Sequence, residues 1–524
     1  MWTSKVARLH LNGVRLGLTS VRFQATIPSG ASSGVDQALI IPSVDSLTAD
    51  QASFQADLDT SLVRHLQNRF LVDSITHEEL FDLTDPKKNE QLEKFKLYCG
   101  ADPTAISLHL GNLLPLMVLL HFNLRGHDVV GIVGGATGEV GDPSGRTTER
   151  TAIESTEREA NVDNIQLQIK TFLERGLEYA QSRKYPVEPA KFGAIETANN
   201  ATWWKSIKML DFLANFGRYI RISSMLARDS IQSRLDSQQG LGFNEFTYQI
   251  LQAYDFWHLF KKENVNMQVG GNDQWGNITA GVDLISRLQR SKTDNTSDVK
   301  PAYGLTVPLL TSPSGEKFGK SAGNAVFIST ELTSPYQLYQ YFINTPDDMV
   351  EKLLKVFTLF PIATIEQEIV PKHTSDPGLR LGQRILAREV VDLVHGVGVG
   401  EEMAYITGFL FPTPDQSFND VSADKLINNF RRSGILRSLN VDDLKREGEQ
   451  DVKMSTVLAD IMGKSKSETK KLIKAGGLYL GLDREKFLDP EDVVLFDPKN
   501  HLIDGKLLLV RSGKQNYYVV EVRN

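Results

Sequence analysis

Between Lys94 and Val133 the chain reads as strand, helix, strand: a short run Phe95-Lys-Leu-Tyr-Cys99, a glycine-containing turn, an apolar helix from about Leu110 to Leu124, and a buried strand from Asp128 to Val133. Strands joined in this way through a helix form a parallel sheet, and such sheets place their sites at the carboxyl ends of the strands. A second unit follows in the amphipathic helix from Phe243 to Glu263, a strand over 266–269 and its Gly-Gly turn. The spacing therefore predicts an α/β domain over residues 91–330.

A chain of 524 residues exceeds one compact core, so more than one domain is expected. Ser334-Pro335 opens a region of apolar repeats without strand-like alternation, which predicts an all-helical domain over 331–435. Residues 440–524 read as helix, turn, helix, turn and closing strands, a small α+β unit. Within it Ser465 and Glu468 can cap the second helix, Gly476-Gly477 can end it, and Ser512-Gly513 can turn the last strands. Lys464, Lys466, Lys470, Lys471 and Lys474 share that segment with one glutamate. Such a run is usually a solvated helix face, but it is also the densest local cationic patch.

Upstream, 36–90 predicts a polar linker followed by a helical segment, with Thr76-His-Glu-Glu79 as a capping box. His77-Glu78 does not make a zinc helix, because Phe81 stands where the second histidine is needed. Residues 1–35 hold Lys5, Arg8, Arg15 and Arg22 among Leu, Val, Phe and hydroxyl residues, with no acid before Asp36. That pattern predicts a mitochondrial transit peptide. A disordered basic tail is the plainer alternative. No run approaches the length of a membrane span. A net charge of −7 confines any nucleic-acid contact to local patches, and the lone Cys99 excludes an intramolecular disulfide or thiolate cluster.

Four segments carry chemistry. His109-Leu-Gly-Asn112 lies where a turn enters the helix, so a phosphate there meets backbone N–H groups and the positive end of the helix dipole. Lys317-Phe-Gly-Lys320-Ser321 is a basic glycine-containing loop suited to closing on a pyrophosphate. It misses a Walker A loop because Ser314 stands where the first glycine belongs. Between the two lie the segment from Gly131 to Gly145 and Gly270-Gly-Asn-Asp-Gln-Trp-Gly-Asn277, glycine-rich loops whose acids and amides suit a zwitterionic amino acid. Gly135, Gly138 and Gly141 do not have dinucleotide spacing, and Asp142-Pro143 halts an immediate helix. The combination predicts amino-acid activation by ATP.

The ordered set Tyr98-Cys-Gly-Ala-Asp-Pro-Thr104, Ser107-Leu-His-Leu-Gly-Asn112, Gly134-Gly-Ala-Thr-Gly138, Gly141-Asp-Pro-Ser-Gly145, Tyr248-Gln-Ile-Leu-Gln-Ala-Tyr-Asp255, Gln268-Val-Gly-Gly-Asn-Asp-Gln-Trp-Gly-Asn277 and Lys317-Phe-Gly-Lys320 resembles the tyrosyl-tRNA synthetases of the bacterial and mitochondrial kind. The match runs from about Leu66 to the C-terminus. It implies a Rossmann-like parallel-sheet catalytic domain, a helical anticodon-binding domain and an alpha-L RNA-binding module. By the same resemblance Tyr98 and Asp255 would grip the substrate phenol, Asp142, Tyr248 and Gln252 the ammonium, and Gln274 the carboxylate. Cys99, Asp102, Thr104, His109, Asn112, Gly271 and Asp273 would line the ATP site, and His109, Thr104, Lys317 and Lys320 would carry rate. Arg146 and Arg150 resemble a basic pair near the phosphates.

Tyr248, Gln252 and Asp255 are spaced to project from one helix face, whereas Tyr254 falls off it and suits packing. Two departures stand out. Asn112 replaces a second histidine, and Phe318-Gly319 replaces the usual Met-Ser between the loop lysines. The implied reaction is attack of the tyrosine carboxylate on the α-phosphorus of ATP, with Mg²⁺ carried on the phosphates and no dedicated protein metal site. Transfer to the 3′ end of tRNA(Tyr) in the mitochondrial matrix follows. The family works as a homodimer, and the apolar helix from Leu113 to Leu124 suits either an interface or a core. Two alternatives are an added role on group I intron RNA, drawing on residues 41–67, and a tryptophan-specific or other nucleotidyltransferase. Asp255 with Tyr98 argues against tryptophan, since an indole offers no phenol.

Overall fold

The computed structural model describes residues 50–88, 94–144, 154–236, 240–292, 298–309, 324–411, 422–445, 450–513 and 516–523, with a few isolated positions between them. The expected transit peptide at 1–35, the pair Arg146 and Arg150, and Lys317 lie outside the described residues. The chain forms two compact units, one of Pro28–Asp415 with Arg432–Gly434, the other containing Gln416–Arg431 and Ile435–Asn524.

The first unit is built on six strands: β1 (Ser74–Ile75), β2 (Lys96–Ala101), β3 (Asp128–Val133), β4 (Ile195–Asn199), β5 (Met267–Gly271) and β6 (Tyr303–Val307). Their order is β1-β6-β5-β2-β3-β4. All neighbours run parallel except β1, which is antiparallel to β6. From β2 the chain builds outward through β3 and β4, then crosses to lay down β5 and β6 on the other side. The direction of winding thus changes between β2 and β5, and the crevice above their carboxyl ends is where such a sheet binds ligands.

Side chains alternate across the sheet, so β2 sends Tyr98 to one face and Cys99 to the other. Tyr98, Val130 and Ile132 pack with Ala253 and Phe256 of the helix Phe243–Glu263 and Leu284 and Ile285 of the helix Trp275–Arg290. Gly131 admits Ile169 of the long helix Ser155–Ser182, and Gly176 of that helix admits Leu120 of the helix Leu110–Leu124. The result is a sheet between two helical layers. Leu113–Leu124 is buried almost throughout, so this stretch forms core rather than an interface.

Sequence and structure part at the N-terminal segment. The expected linker holds a helix, Gln51–Leu58, capped by Asp50 and anchored where Arg125 donates to the carbonyls of Asp57 (2.9 Å) and Thr60 (3.1 Å). The expected helical run resolves into the helix Leu62–Asn68, β1 and a short helix Leu80–Leu83. Thr76 is not a cap. Its hydroxyl accepts from the Gly304 N–H (2.8 Å) and its own N–H donates to the Gly304 carbonyl (3.0 Å), extending the edge of β6.

Past β6 come a short ribbon, β7 (Lys320–Ser321) and β8 (Asn324–Ala325), and then helices. Ser334 and Gln337 form a capping box on Pro335–Ile343, and Asp347–Phe357, Leu381–His395 and Val399–Leu410 follow. These helices belong to the same compact unit as the sheet. Buried Arg183 holds Glu389 (2.7 Å) and Asp392 (2.6 Å), and the Tyr179 hydroxyl donates to Glu389 (2.7 Å). Arg69, fully buried, donates to the carbonyls of Lys355 (2.8 Å), Thr358 (2.7 Å) and Phe360, satisfying carbonyls that the helix end leaves open.

In the second unit, β9 (Leu436–Asn440), β10 (Leu478–Leu480), β11 (Glu485–Lys486), β12 (Leu507–Ser512) and β13 (Asn516–Arg523) form a sheet ordered β11-β10-β12-β13-β9. The helices Met454–Met462 and Lys466–Lys474 precede β10, and the Ser465–Glu468 box caps the second. Gly476, at φ 64°, supplies the left-handed turn that follows it.

Candidate functional site

The site gathers on the carboxyl ends of β2, β3, β4 and β5. At its closed end lies Asp255, 5% exposed, on the helix Phe243–Glu263. Its Oδ1 accepts from the indole N–H groups of Trp203 (2.7 Å) and Trp204 (2.7 Å), and its Oδ2 from Asn200 Nδ2 (3.0 Å). Burial pushes its carboxyl up to about 7, against these three hydrogen bonds, and the charge of Asp102 adds to the rise. Tyr98 is 2% exposed, its ring tilted against Phe256 at 5.4 Å, and its buried hydroxyl has no hydrogen-bond partner among the described residues. Burial first, and the Asp255 charge second, hold that phenol well above its ordinary range. An orphaned hydroxyl beside a carboxylate in an apolar floor is complementary to a ligand with a hydroxyl at its end.

The other end is a polar network. The Tyr248 hydroxyl donates to Asp102 (3.1 Å). Gln274 Nε2 donates to Asp142 (2.8 Å) and Asp273 (3.3 Å), while its Oε1 accepts from Gln252 (3.2 Å) and Asn277 (3.1 Å). Asn277 also donates to Gln252 (3.0 Å) and Ser144 (3.3 Å), and the Ser144 N–H donates to Asp142 (2.9 Å). Around Gln274, acids and amides thus meet within one hydrogen-bonded set, which can receive an ammonium and orient a carboxylate. The glycines permit it: a Cβ at Gly134 would stand 2.9 Å from an Asp102 oxygen, and one at Gly271 would stand 2.5 Å from Asp273.

On the opposite face of β2 stands the helix-entry turn. His109 caps the helix Leu110–Leu124, its Nδ1 accepting from the Gly111 N–H (3.0 Å), while Asn112 Oδ1 accepts from the His109 N–H (3.0 Å). This corrects the expectation of free backbone donors at the turn: two are already capped, and Asn112 is one of the caps. With Nδ1 as acceptor, the imidazole carries its proton on Nε2, where it can serve as a donor. Leu110 and Ile328 exchange backbone bonds with Val326 (3.0 Å) and Leu108 (2.9 Å), so the histidine turn pairs with the strand that leaves the lysine loop. The Lys320 backbone lies in β7, paired with Ala325.

Thr104 is exposed in the turn after β2, its N–H bonded to the Asp102 carbonyl (2.9 Å). Cys99 is buried and its thiol is pushed up to about 12 by burial, so it stays neutral. In the second unit Lys464, Lys466, Lys471 and Lys474 are exposed, while Lys470 is half-buried and paired with Asp492 (2.8 Å). Sequence reasoning missed Asn200, Trp203, Trp204, Asn277 and Ser144. For the first three, the available signal was an amide and two indoles close together in the sequence, at Asn200, Trp203 and Trp204.

Known proteins resemble this chain. The family profile described as tRNA synthetases class I (W and Y) matches residues 90–411. The mitochondrial tyrosine–tRNA ligase of Saccharomyces cerevisiae is 47% identical over 463 residues, covering 88% of this chain and 89% of that protein. Its counterpart in Drosophila melanogaster is 38% identical over 81% of this chain and 87% of its own length. A crystal structure of a C-terminally truncated Aspergillus nidulans mitochondrial tyrosyl-tRNA synthetase superimposes with a TM-score of 0.60 at 33% identity, covering 70% of this chain and 99% of that one. The chain therefore belongs to the class I tRNA synthetases, among the mitochondrial tyrosyl-tRNA synthetases.

Proposed function

We propose that the chain activates L-tyrosine with ATP in the mitochondrial matrix and transfers it to tRNA(Tyr). The observation that carries this is the presence, in a crevice whose rim is acid and amide, of buried Asp255 and of a buried Tyr98 hydroxyl that has no hydrogen-bond partner among the described residues. Asp255 accepts the phenol proton and Tyr98 completes the pair. Phenylalanine would leave the Tyr98 hydroxyl and the remaining acceptor position of Asp255 unpaired, which disfavours it by the cost of buried polar groups without partners.

Asp142, Tyr248 and Gln252 hold the ammonium, with Gln274 turning the carboxylate toward the α-phosphorus. Asp273 binds ribose hydroxyls, Gly271 allows the close approach, and Cys99, Asp102, Thr104 and Asn112 border the nucleotide. His109 Nε2, Lys317 and Lys320 stabilise charge as pyrophosphate leaves, and Mg²⁺ arrives on the triphosphate. Neither step needs a protein nucleophile, so the rate comes from positioning and electrostatics.

Residues 331–435 bind the anticodon arm, and 440–524 form an alpha-L RNA-binding module whose lysines meet phosphates. The active form is a homodimer. Its interface draws on the apolar side chains of Met209 (68% exposed), Leu210 (79%), Ile222 (65%) and Phe243 (74%), which are left in solvent. Charging of tRNA(Tyr) with labelled tyrosine or phenylalanine tests the assignment, with tyrosyl-tRNA as the only expected product. Sedimentation tests the dimer, which Phe243→Asp should dissociate.

A further inference from the structure

We infer that Trp204 is a positioning residue for amino-acid selection, its indole N–H completing the donor set that fixes the Asp255 carboxylate and leaves it one acceptor direction for the substrate phenol. The inference rests on Asp255 and Tyr98 as the phenol contacts. A carboxylate offers about four acceptor positions, two on each oxygen. Trp203 and Trp204 take both on Oδ1, and Asn200 takes one on Oδ2. One remains.

The three donors are themselves held. Asn200 Oδ1 accepts from the Ala136 N–H (2.8 Å), and its Nδ2 is shared with the Thr137 hydroxyl (2.8 Å). Trp203 stacks on His258 with centroids 4.5 Å apart. Trp204 leans on Tyr254 (4.9 Å) and Phe212 (5.4 Å). Consecutive helical residues point in different directions, so two neighbouring indoles reaching one oxygen is not what packing alone produces. Trp204 is also only half-buried, and an indole there can turn its N–H to water. It turns the N–H inward instead.

Without that bond Oδ1 keeps an open acceptor position, the carboxylate can rotate, and its ionised form loses a donor. Trp204→Phe keeps an aromatic ring against Tyr254 and Phe212 and deletes only the donor. We expect kcat/KM for tyrosine in ATP–pyrophosphate exchange to fall about tenfold, the size of one hydrogen bond to a charged group. The loss should appear in KM for tyrosine, with KM for ATP and the slow use of phenylalanine unchanged. Tyrosine and phenylalanine falling together, or an unchanged ratio between them, would overturn the inference.

If Trp204→Phe folds poorly, the benzothiophene analogue of tryptophan at position 204 removes the N–H at constant shape, and the same ratio decides. Asp255→Asn separates the two levels. Should it leave tyrosine kinetics intact, the phenol assignment itself fails. Should it destroy tyrosine use while the Trp204 variants keep the wild-type ratio, only the role of Trp204 fails.

Discussion

The backbone N–H of Leu110 donates to the carbonyl of Val326 at 3.0 Å, joining the turn that carries His109 to the strand that leaves the lysine loop. Two segments remote in the sequence are thereby joined.

That coupling makes Gly111 sensitive. A Cβ there would lie 2.9 Å from His109 Cε1 and 3.1 Å from Nδ1, displacing the imidazole. Gly111→Ala should lower the rate of adenylate formation while tyrosine binding, read by equilibrium dialysis, stays close to wild type. Asn112→Ala removes the cap on the His109 N–H and should cost roughly 0.5–2 kcal/mol of stability in urea denaturation.

Lys320→Ala tests the loop. On the proposed chemistry, removing this charge should cost on the order of a hundredfold in the rate of adenylate formation, as for other transition-state donors. Tyrosine affinity should be unaffected. Single-turnover quench measurements separate the two.

Asp255 sets a pH dependence. Its carboxyl is raised to about 7, so the folded protein binds a proton that the unfolded chain releases at lower pH. Stability from this group is greatest below the unfolded pKa and is lost as pH rises through the window up to about 7. Activity runs the other way, because the phenol donates to the ionised form: kcat/KM for tyrosine should rise through about pH 7. Asp255→Asn should abolish that limb of the profile.

The buried Arg183 cluster predicts a stability effect remote from the site. Arg183→Ala leaves Asp392 buried without its cation and Glu389 with Arg388 alone, which should cost about 3 kcal/mol. Thermal unfolding measures it. Arg183→Lys should recover only part, because one ammonium cannot reproduce the fork that bonds both acids.

Much of this site follows from sequence where one element dominates its own environment. The helices Leu110–Leu124 and Phe243–Glu263 and the strand Asp128–Val133 have the expected bounds, because their apolar periods match their burial. β4 was not anticipated: Ile-Glu-Thr-Ala-Asn is an edge strand, only partly buried, and lacks a clear alternation. With it were missed Asn200, Trp203 and Trp204, whose role exists only once the β4 end reaches Asp255. Thr76 failed for a related reason, since its local capping pattern was overridden by pairing with β6.

The most direct measurement is ATP–pyrophosphate exchange with each of the twenty amino acids on the wild-type protein and on Asp255→Ala. Exchange with tyrosine far faster than with any other amino acid, phenylalanine included, and lost in the variant, is the predicted result. Exchange with another amino acid such as tryptophan at a rate comparable to tyrosine, or unchanged tyrosine exchange in Asp255→Ala, would contradict it.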